Sequence, residues 1–144
     1  MNAQTRKAQQ TRRDRAAQTR KAARNARAHA AVLSGRALPV AVVMAGAGYD
    51  AADISRNTSA ISKKLGAADA MGKHRKRLTT KSPSRVNKGG RNRRMRTFPV
   101  KHYSAARVLG LLQTHRPKDK AVAARFEQVA TSPKFRALAL ALAA

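Results

Sequence analysis

Residues 2–34 read NAQTRKAQQTRRDRAAQTRKAARNARAHAAVLS and contain neither glycine nor proline. This stretch holds nine Lys or Arg and ten Ala, but only one acid, Asp14. Alanine and arginine favour helix, because alanine loses no side-chain entropy on folding and arginine loses little. Gly35 is a natural end for such an element. The composition predicts one helix of about 30 residues, roughly 45 Å long, with no apolar stripe to pack into a core.

The basic residues of this helix follow its period. Five arginines fall within a face roughly 60° wide at about 100° per residue. They are Arg6, Arg13, Arg20, Arg24 and Arg27. Lys7 and Lys21 flank that face, while Arg12 and Arg15 lie on the far side. Phosphates in a polyanionic groove would offset the repulsion among these cations and let the helix fold on binding. The alternative is a solvated helix or a disordered tail, although solvated helices normally mix both signs of charge.

The hexapeptide AQTRKA occurs twice, at 3–8 and at 17–22. The opening MNAQTRK, which runs into TRRDRAAQ, resembles the arginine-rich arm of the N antitermination proteins of lambda-like phages. The matching positions are Ala3, Gln4, Thr5, Arg6 and Lys7, with a second alignment through Ala17, Gln18, Thr19, Arg20, Lys21 and Arg24. The resemblance implies a bent helix that grips an RNA hairpin, while the rest of the chain contacts RNA polymerase and its elongation factors.

The charge balance indicates a polyanionic partner. The chain has 144 residues, with 32 Lys or Arg against six acids, and a formal net charge of +26. Leu, Ile, Val and Phe make up about 17% of the residues, below the ~20% at which high charge signals disorder. With no cysteine and no apolar run beyond about 12 residues, disulfides and a membrane span are excluded. We expect a location in the cytoplasm or inside a nucleoprotein particle.

The middle segment, residues 36–72, carries most of the early apolar residues. The run 37–48 predicts either a buried strand or the start of a buried helix, because its periodicity does not distinguish them. Residues 50–71 predict an amphipathic helix. Its expected cap is Asp50 and its expected apolar stripe is Ile54, Ile61, Leu65 and Met71. The stretch SRNTSAISKKL is also similar to the recognition helix of a helix-turn-helix, with candidate groove-facing residues Thr58, Ser59, Ser62 and Lys63. The spacing from Ile54 to Ile61 is too short for two helices and a turn, so a single helix packed on 37–45 is preferred.

Residues 73–101 contain 12 Lys or Arg and no acid. Four breakers, Pro83, Gly89, Gly90 and Pro99, argue against one regular element, so the segment predicts a flexible basic loop that follows a phosphate backbone. Its candidate nucleic-acid-binding residues are Lys73, Arg75, Lys76, Arg77, Lys88, Arg91, Arg93, Arg94 and Arg96.

Residues 102–144 predict three short amphipathic helices separated at Pro117 and Pro133, as a small bundle or a partner-binding hairpin. Their expected apolar positions are Tyr103, Val108, Leu111, Leu112 and His115, then Val122, Phe126 and Val129, then Phe135, Leu138 and Leu142. Six acids, four scattered histidines and no cysteine offer no metal-ligand spacing and no nucleophile with a base partner. We therefore expect neither an enzyme nor a metal or other cofactor.

Together these patterns predict a mainly α chain, partly disordered without its partner. Its parts are a long basic helical arm at 1–35, a small helical middle, a basic loop and a C-terminal helical hairpin. The preferred function is RNA binding through the arm, as in a transcription antitermination regulator with RNA polymerase or another large ribonucleoprotein as partner. The alternatives are a structural nucleic-acid-packing protein and, third, a helix-turn-helix DNA-binding regulator. The candidate contact residues of the arm are Gln4, Thr5, Arg6, Lys7, Arg12, Arg13, Arg15, Arg20, Lys21, Arg24 and Arg27.

Overall fold

The computed structural model describes residues 2–77 and 95–144. These residues form six helices and two strands, so the prediction of a mainly α fold is confirmed. The helices are α1 (Ala3–Leu33), α2 (Val40–Ala47), α3 (Ala51–Leu65), α4 (Ala105–Thr114), α5 (Lys120–Ala130) and α6 (Pro133–Ala143). The strands, β1 (Ala70–Arg77) and β2 (Met95–His102), lie between α3 and α4 in the chain and pair antiparallel.

Helix α1 is the long basic helix that the composition predicts. Its 31 residues begin after Asn2, whose side chain accepts a hydrogen bond from the backbone N–H of Gln4. Residues 2–24 are exposed throughout. Only the last turns dock on the body of the protein, where Ala28 and Val32 are buried. A Cβ at Gly46 of α2 would lie 2.8 Å from Val32 Cγ2, so glycine allows the two helices to approach closely there.

The apolar run of the middle segment is helix α2, which resolves the choice between strand and helix. Gly48, with φ of 103°, ends it in the left-handed conformation. Asp50 occupies the N-cap position of α3, as predicted, but its side chain makes no capping hydrogen bond and contacts Lys21 instead. Helix α3 ends at Leu65, because Gly66 has φ of 72° and turns the chain. The prediction that Met71 belongs to the apolar stripe of this helix is therefore wrong, and Met71 lies in β1 with 62% of its surface exposed.

The prediction of a basic loop throughout 73–101 is wrong at both ends of that segment. Lys73 to Arg77 belong to β1 and Met95 to Lys101 to β2, and the two strands pair in register from Ala70 with His102 to Arg77 with Met95. Pro99 is tolerated because each strand of a two-stranded sheet has a free edge. The other breakers, Pro83, Gly89 and Gly90, lie outside the described residues, as do the candidate site residues Lys88, Arg91, Arg93 and Arg94.

The C-terminal segment forms the three predicted helices. The core combines apolar side chains of α4, α5 and α6 with those of α2 and α3. Its fully buried large residues include Leu109, Leu112, Phe126, Phe135 and Leu138, with Met44 and Ile61 from the middle segment. Tyr103 and His115 are buried as the spacing predicts, although they flank α4 rather than belong to it.

Tyr103 joins three parts of the chain at one point. Its backbone N–H and C=O pair with those of Leu38 at 2.9 Å in both directions, so the segment between α1 and α2 forms a bridge with the residue after β2. Its hydroxyl donates toward the carbonyl oxygens of Ser62 at 3.3 Å and Gly66 at 3.2 Å, at the C-terminal end of α3. The side chain has no exposed surface.

We expect Tyr103→Phe to lower the free energy of unfolding by roughly 1 kcal/mol, because it removes a buried hydroxyl that has hydrogen-bond acceptors. Tyr49→Phe is the matched control. The Tyr49 hydroxyl is buried with no hydrogen-bond partner among the described residues, and burial raises its pKa well above the usual range. Its removal should leave stability unchanged or increase it. Urea unfolding of both variants tests this, and equal destabilisation would contradict it.

His115 makes folding stability depend on pH near neutrality. Its ring is buried against Phe126, and Nδ1 lies 3.1 Å from Lys64 Nζ. Burial first, and then the charges of Lys64 and Arg116, lower its pKa below the usual value. The unfolded chain therefore takes up this proton at a higher pH than the folded chain does.

We expect the His115 contribution to stability to be fully present above about pH 6.5 and to be lost as the pH falls from there toward the lowered folded-state pKa. His115→Leu should flatten this part of the pH profile. His74→Leu, at an exposed position of β1, should retain it. Urea midpoints between pH 8 and pH 5 measure the effect, and an unchanged profile in His115→Leu would rule out the assignment.

Candidate nucleic-acid interface

The exposed part of α1, residues 2–24, extends the arginine face away from the core. At 1.5 Å per residue it is roughly 33 Å long. The buried positions Ala28 and Val32 mark the side of the helix that docks on the body. The centre of the five-arginine face lies about 80° around the helix from that side. The arginine face, including Arg24 and Arg27, is exposed.

Five of the six acids form ion pairs or hydrogen bonds at positions away from this face. Asp50 and Asp69 pair with Lys21 and Arg107, and Asp53 pairs with Arg125. Asp119 caps α5 by accepting from the N–H groups of Ala121 and Val122, while Asp14 accepts from Gln10 on the arm at 2.9 Å. Asp14 lies about 100° around α1 from the centre of the arginine face. The local field at that face is consequently set by cations.

Lys21 is the one arm candidate that contacts the body through an ion pair among the described residues. Its Nζ lies 3.3 Å from Asp50 Oδ1, and both side chains are more than half exposed, at 62% and 57%. The hydrogen bond from Lys21 lowers the pKa of Asp50. An exposed pair of this kind contributes little to stability, so a phosphate can compete for the lysine.

The structure divides the predicted site residues into two groups. The arm candidates, from Gln4 to Arg27, lie on one continuous helix. Arg15 lies on the far side from the arginine face, whereas Arg12 lies about 90° from its centre, nearer than we expected from the sequence. Lys73 and Arg75 of β1 and Arg96 of β2 have exposed side chains, and Lys76 and Arg77 also belong to β1. The cations of the sheet are therefore held on paired strands at fixed register, with Arg75 opposite Thr97 and Lys76 opposite Arg96.

An open groove of about 540 Å³ lies between the sheet and the helices of the middle segment. Its apolar part comes from the first turn of α2 and from Pro99 and Val100. Its polar lining residues are Thr58, Ser62, Lys73, His74, Lys101 and His102. Sequence reasoning named Thr58 and Ser62 only as candidates to face a DNA groove, and it did not predict this cleft in the protein surface. It missed Lys101, His74 and His102 because the strand pairing that gathers them joins distant parts of the chain.

Thr58 and Ser62 lie in α3, the second of two helices that are joined by a short turn. Helix α2 is followed by the three residues 48–50 and then by α3. The preferred prediction of a single helix packed on 37–45 is confirmed, because residues 51–65 form one helix that packs on α2. The two helices of the pair are this helix and the apolar run upstream of Gly48.

Among the described residues, no cluster of three or more His, Asp or Glu side chains could hold a metal ion. No helix in the described ranges has both the length and the apolar character needed to span a bilayer. Comparison of the chain with protein-family models, curated proteins and solved structures gave no match.

Proposed function

We propose that the protein binds nucleic acid and that the arginine face of α1 is its main phosphate-binding surface. The observation that carries this proposal is the exposure of residues 2–24 as a helix whose five-arginine face lacks acids. Arginines seven residues apart, such as Arg6 and Arg13, are spaced about 10.5 Å along the helix axis. Each guanidinium can donate two parallel hydrogen bonds to one phosphate, which makes arginine well suited to a phosphate backbone.

The ligand we favour for the arm is a structured RNA. The arm is a slim helix with small alanines between its arginines, and such a helix fits a groove widened by a loop or bulge in RNA. Gln4 and Thr5 are exposed near the start of α1 and supply uncharged donors and acceptors that can read base edges. The phage antitermination proteins that the opening resembles use such an arm. By that resemblance, the function we favour is a transcription antitermination regulator with RNA polymerase or another large ribonucleoprotein as partner.

A structural packing protein is the alternative. The net charge of +26 supports it, because packing needs more charge than recognition of a single site does. The two functions differ in selectivity. A regulator prefers one RNA hairpin, whereas a packing protein binds every duplex with similar affinity and a steep dependence on salt.

We expect the variant Arg13→Ala/Arg20→Ala/Arg27→Ala to bind an RNA hairpin with a salt dependence reduced by about 2 to 3 units in the slope of log K against log salt, because three phosphate contacts are lost. Fluorescence anisotropy across a salt series measures the slope. Lys118→Ala/Lys120→Ala/Lys134→Ala removes the same charge from exposed positions of the body and should change the slope by less than one unit. Equal slopes in the two variants would show that the arginine face is not the interface.

We expect Gln4→Ala/Thr5→Ala to reduce the preference for a hairpin over an RNA duplex by roughly tenfold, without changing the salt slope, because the two residues are uncharged and supply only base contacts. Competition between labelled hairpin and unlabelled duplex gives the ratio. If the unsubstituted chain binds hairpin, RNA duplex and DNA duplex with equal affinity, the protein is a packing protein and the RNA-hairpin function is excluded.

A further inference from the structure

Helices α2 and α3 present a surface that takes no part in the proposed binding of nucleic acid by the arm. The eight-residue α2 packs in the core through Val43, Met44 and Ala47, and Gly48 reverses the chain in the left-handed conformation. The 15-residue α3 then crosses to the surface with one buried side, which includes Ile61. A long second helix, held by a first helix and a short glycine-containing turn, is placed to lie against a partner.

The exposed side of α3 carries no negative charge. Its residues are Ala52, Ser55, Arg56, Ser59, Ala60 and Lys63, all of them exposed. The one acid within α3, Asp53, is only 3% exposed and is held by Arg125 of α5 through two hydrogen bonds of 2.7 and 2.8 Å. The Arg125 guanidinium also keeps the pKa of Asp53 low. Asp53 therefore remains ionised, but its charge is neutralised on the side of α3 that faces the core.

The β1–β2 sheet extends this surface beside α3. Thr58 and Ser62, at the edge of the exposed side of the helix, line the same groove as Lys73 and Lys101 of the two strands. Arg75 and Arg96 are exposed farther along the strands. A helix with small polar side chains thus stands next to a row of cations that the strand register fixes in place.

We propose that the exposed side of α3 and the adjoining β1–β2 sheet form a second binding site, whose ligand is B-form duplex DNA. An α-helix with its side chains is about 10–12 Å across, and the major groove of B-DNA is about 12 Å wide. Ser55 and Ser59 are short enough to bring the helix backbone close to base edges, and Lys63 and Arg56 reach the flanking phosphates. The cations of the sheet contact the backbone beside the groove.

The same dimensions exclude duplex RNA from this site. The major groove of A-form RNA is deep and narrow, so a helix cannot enter it. The ligands proposed for the arm and for this site are both polyanions. They differ in kind, because the arm is proposed to bind structured RNA and this site to bind duplex DNA.

The experiment uses the full chain, a 20-base-pair DNA duplex of mixed sequence and an RNA duplex of the same sequence, with affinities measured by anisotropy at fixed salt. Ser59→Glu places one negative charge at the centre of the exposed side of α3. It should weaken DNA binding at least tenfold and RNA-duplex binding less than twofold. Gln128→Glu, an equal charge change at an exposed position of α5, should weaken either by less than twofold. Circular dichroism confirms that both variants fold.

The outcomes separate this site from the arm. The triple arginine variant of the arm should weaken DNA and RNA binding in parallel, whereas Ser59→Glu should act on DNA alone. If the arm variant abolishes all binding and Ser59→Glu behaves like Gln128→Glu, the α3 site does not exist and the arm function stands. If only Ser59→Glu weakens binding, the arm function fails and the α3 site stands. A chain that does not bind DNA, or a Ser59→Glu variant that weakens RNA-duplex binding as much as DNA binding, overturns the proposal.

Discussion

The buried tyrosine at the end of β2 is the contact on which the rest of the structure depends. Tyr103 bonds through its backbone to Leu38 and through its hydroxyl to the C-terminal end of α3, so it joins segments that carry too few apolar residues to associate strongly by themselves. Arg107 reinforces the same point, with its guanidinium 2.8 Å from the Leu65 carbonyl and 2.7 Å from Asp69. Asp69 in turn accepts from the N–H of Ser104 at 2.7 Å. This cluster fixes the base of the β1–β2 sheet against α3.

The whole chain has six acids against 32 basic residues, so few ion pairs can stabilise the fold. The structure places three of them in ion pairs that link elements distant in sequence, and a fourth, Asp119, at the cap of α5. Among these, the pair of Asp53 and Arg125 has the most buried carboxylate, and the removal of Arg125 would leave the charge of Asp53 buried without its partner. Asp14 lies about 100° around α1 from the centre of the arginine face, and Asp50 and Asp53 are paired with basic side chains, so the arginine face of α1 and the exposed side of α3 remain cationic. The same placement of the acids therefore supplies the ion pairs of the fold and leaves the two candidate surfaces positively charged.

Local signals made most of the helices predictable. Helix α1 follows from alanine, arginine and the absence of breakers over 2–34, and the C-terminal helices follow from apolar spacing and from Pro117 and Pro133. The sheet was missed because its strands pair across a long intervening segment. Half of β1 is Lys or Arg and β2 contains Pro99, so no alternation of apolar residues marks either strand. The sequence left 37–48 undecided between strand and helix, because all residues of α2 are apolar or glycine, which leaves no period to separate the two. The groove is lined by the sheet and by the first turn of α2, so no local pattern in the sequence could indicate it.

The two candidate surfaces are connected through a single exposed ion pair. Asp50 is the N-cap residue of α3 and Lys21 belongs to the arm, so their 3.3 Å contact links the arm to the start of the helix that carries the second surface. Such a pair is weak in water, and a phosphate that takes Lys21 releases Asp50 from its partner. Close packing at Gly46 then holds only the last turns of α1 in place. A phosphate that binds Lys21 would therefore free the Asp50 carboxylate at the start of α3, while the packing of α1 on α2 stays in place.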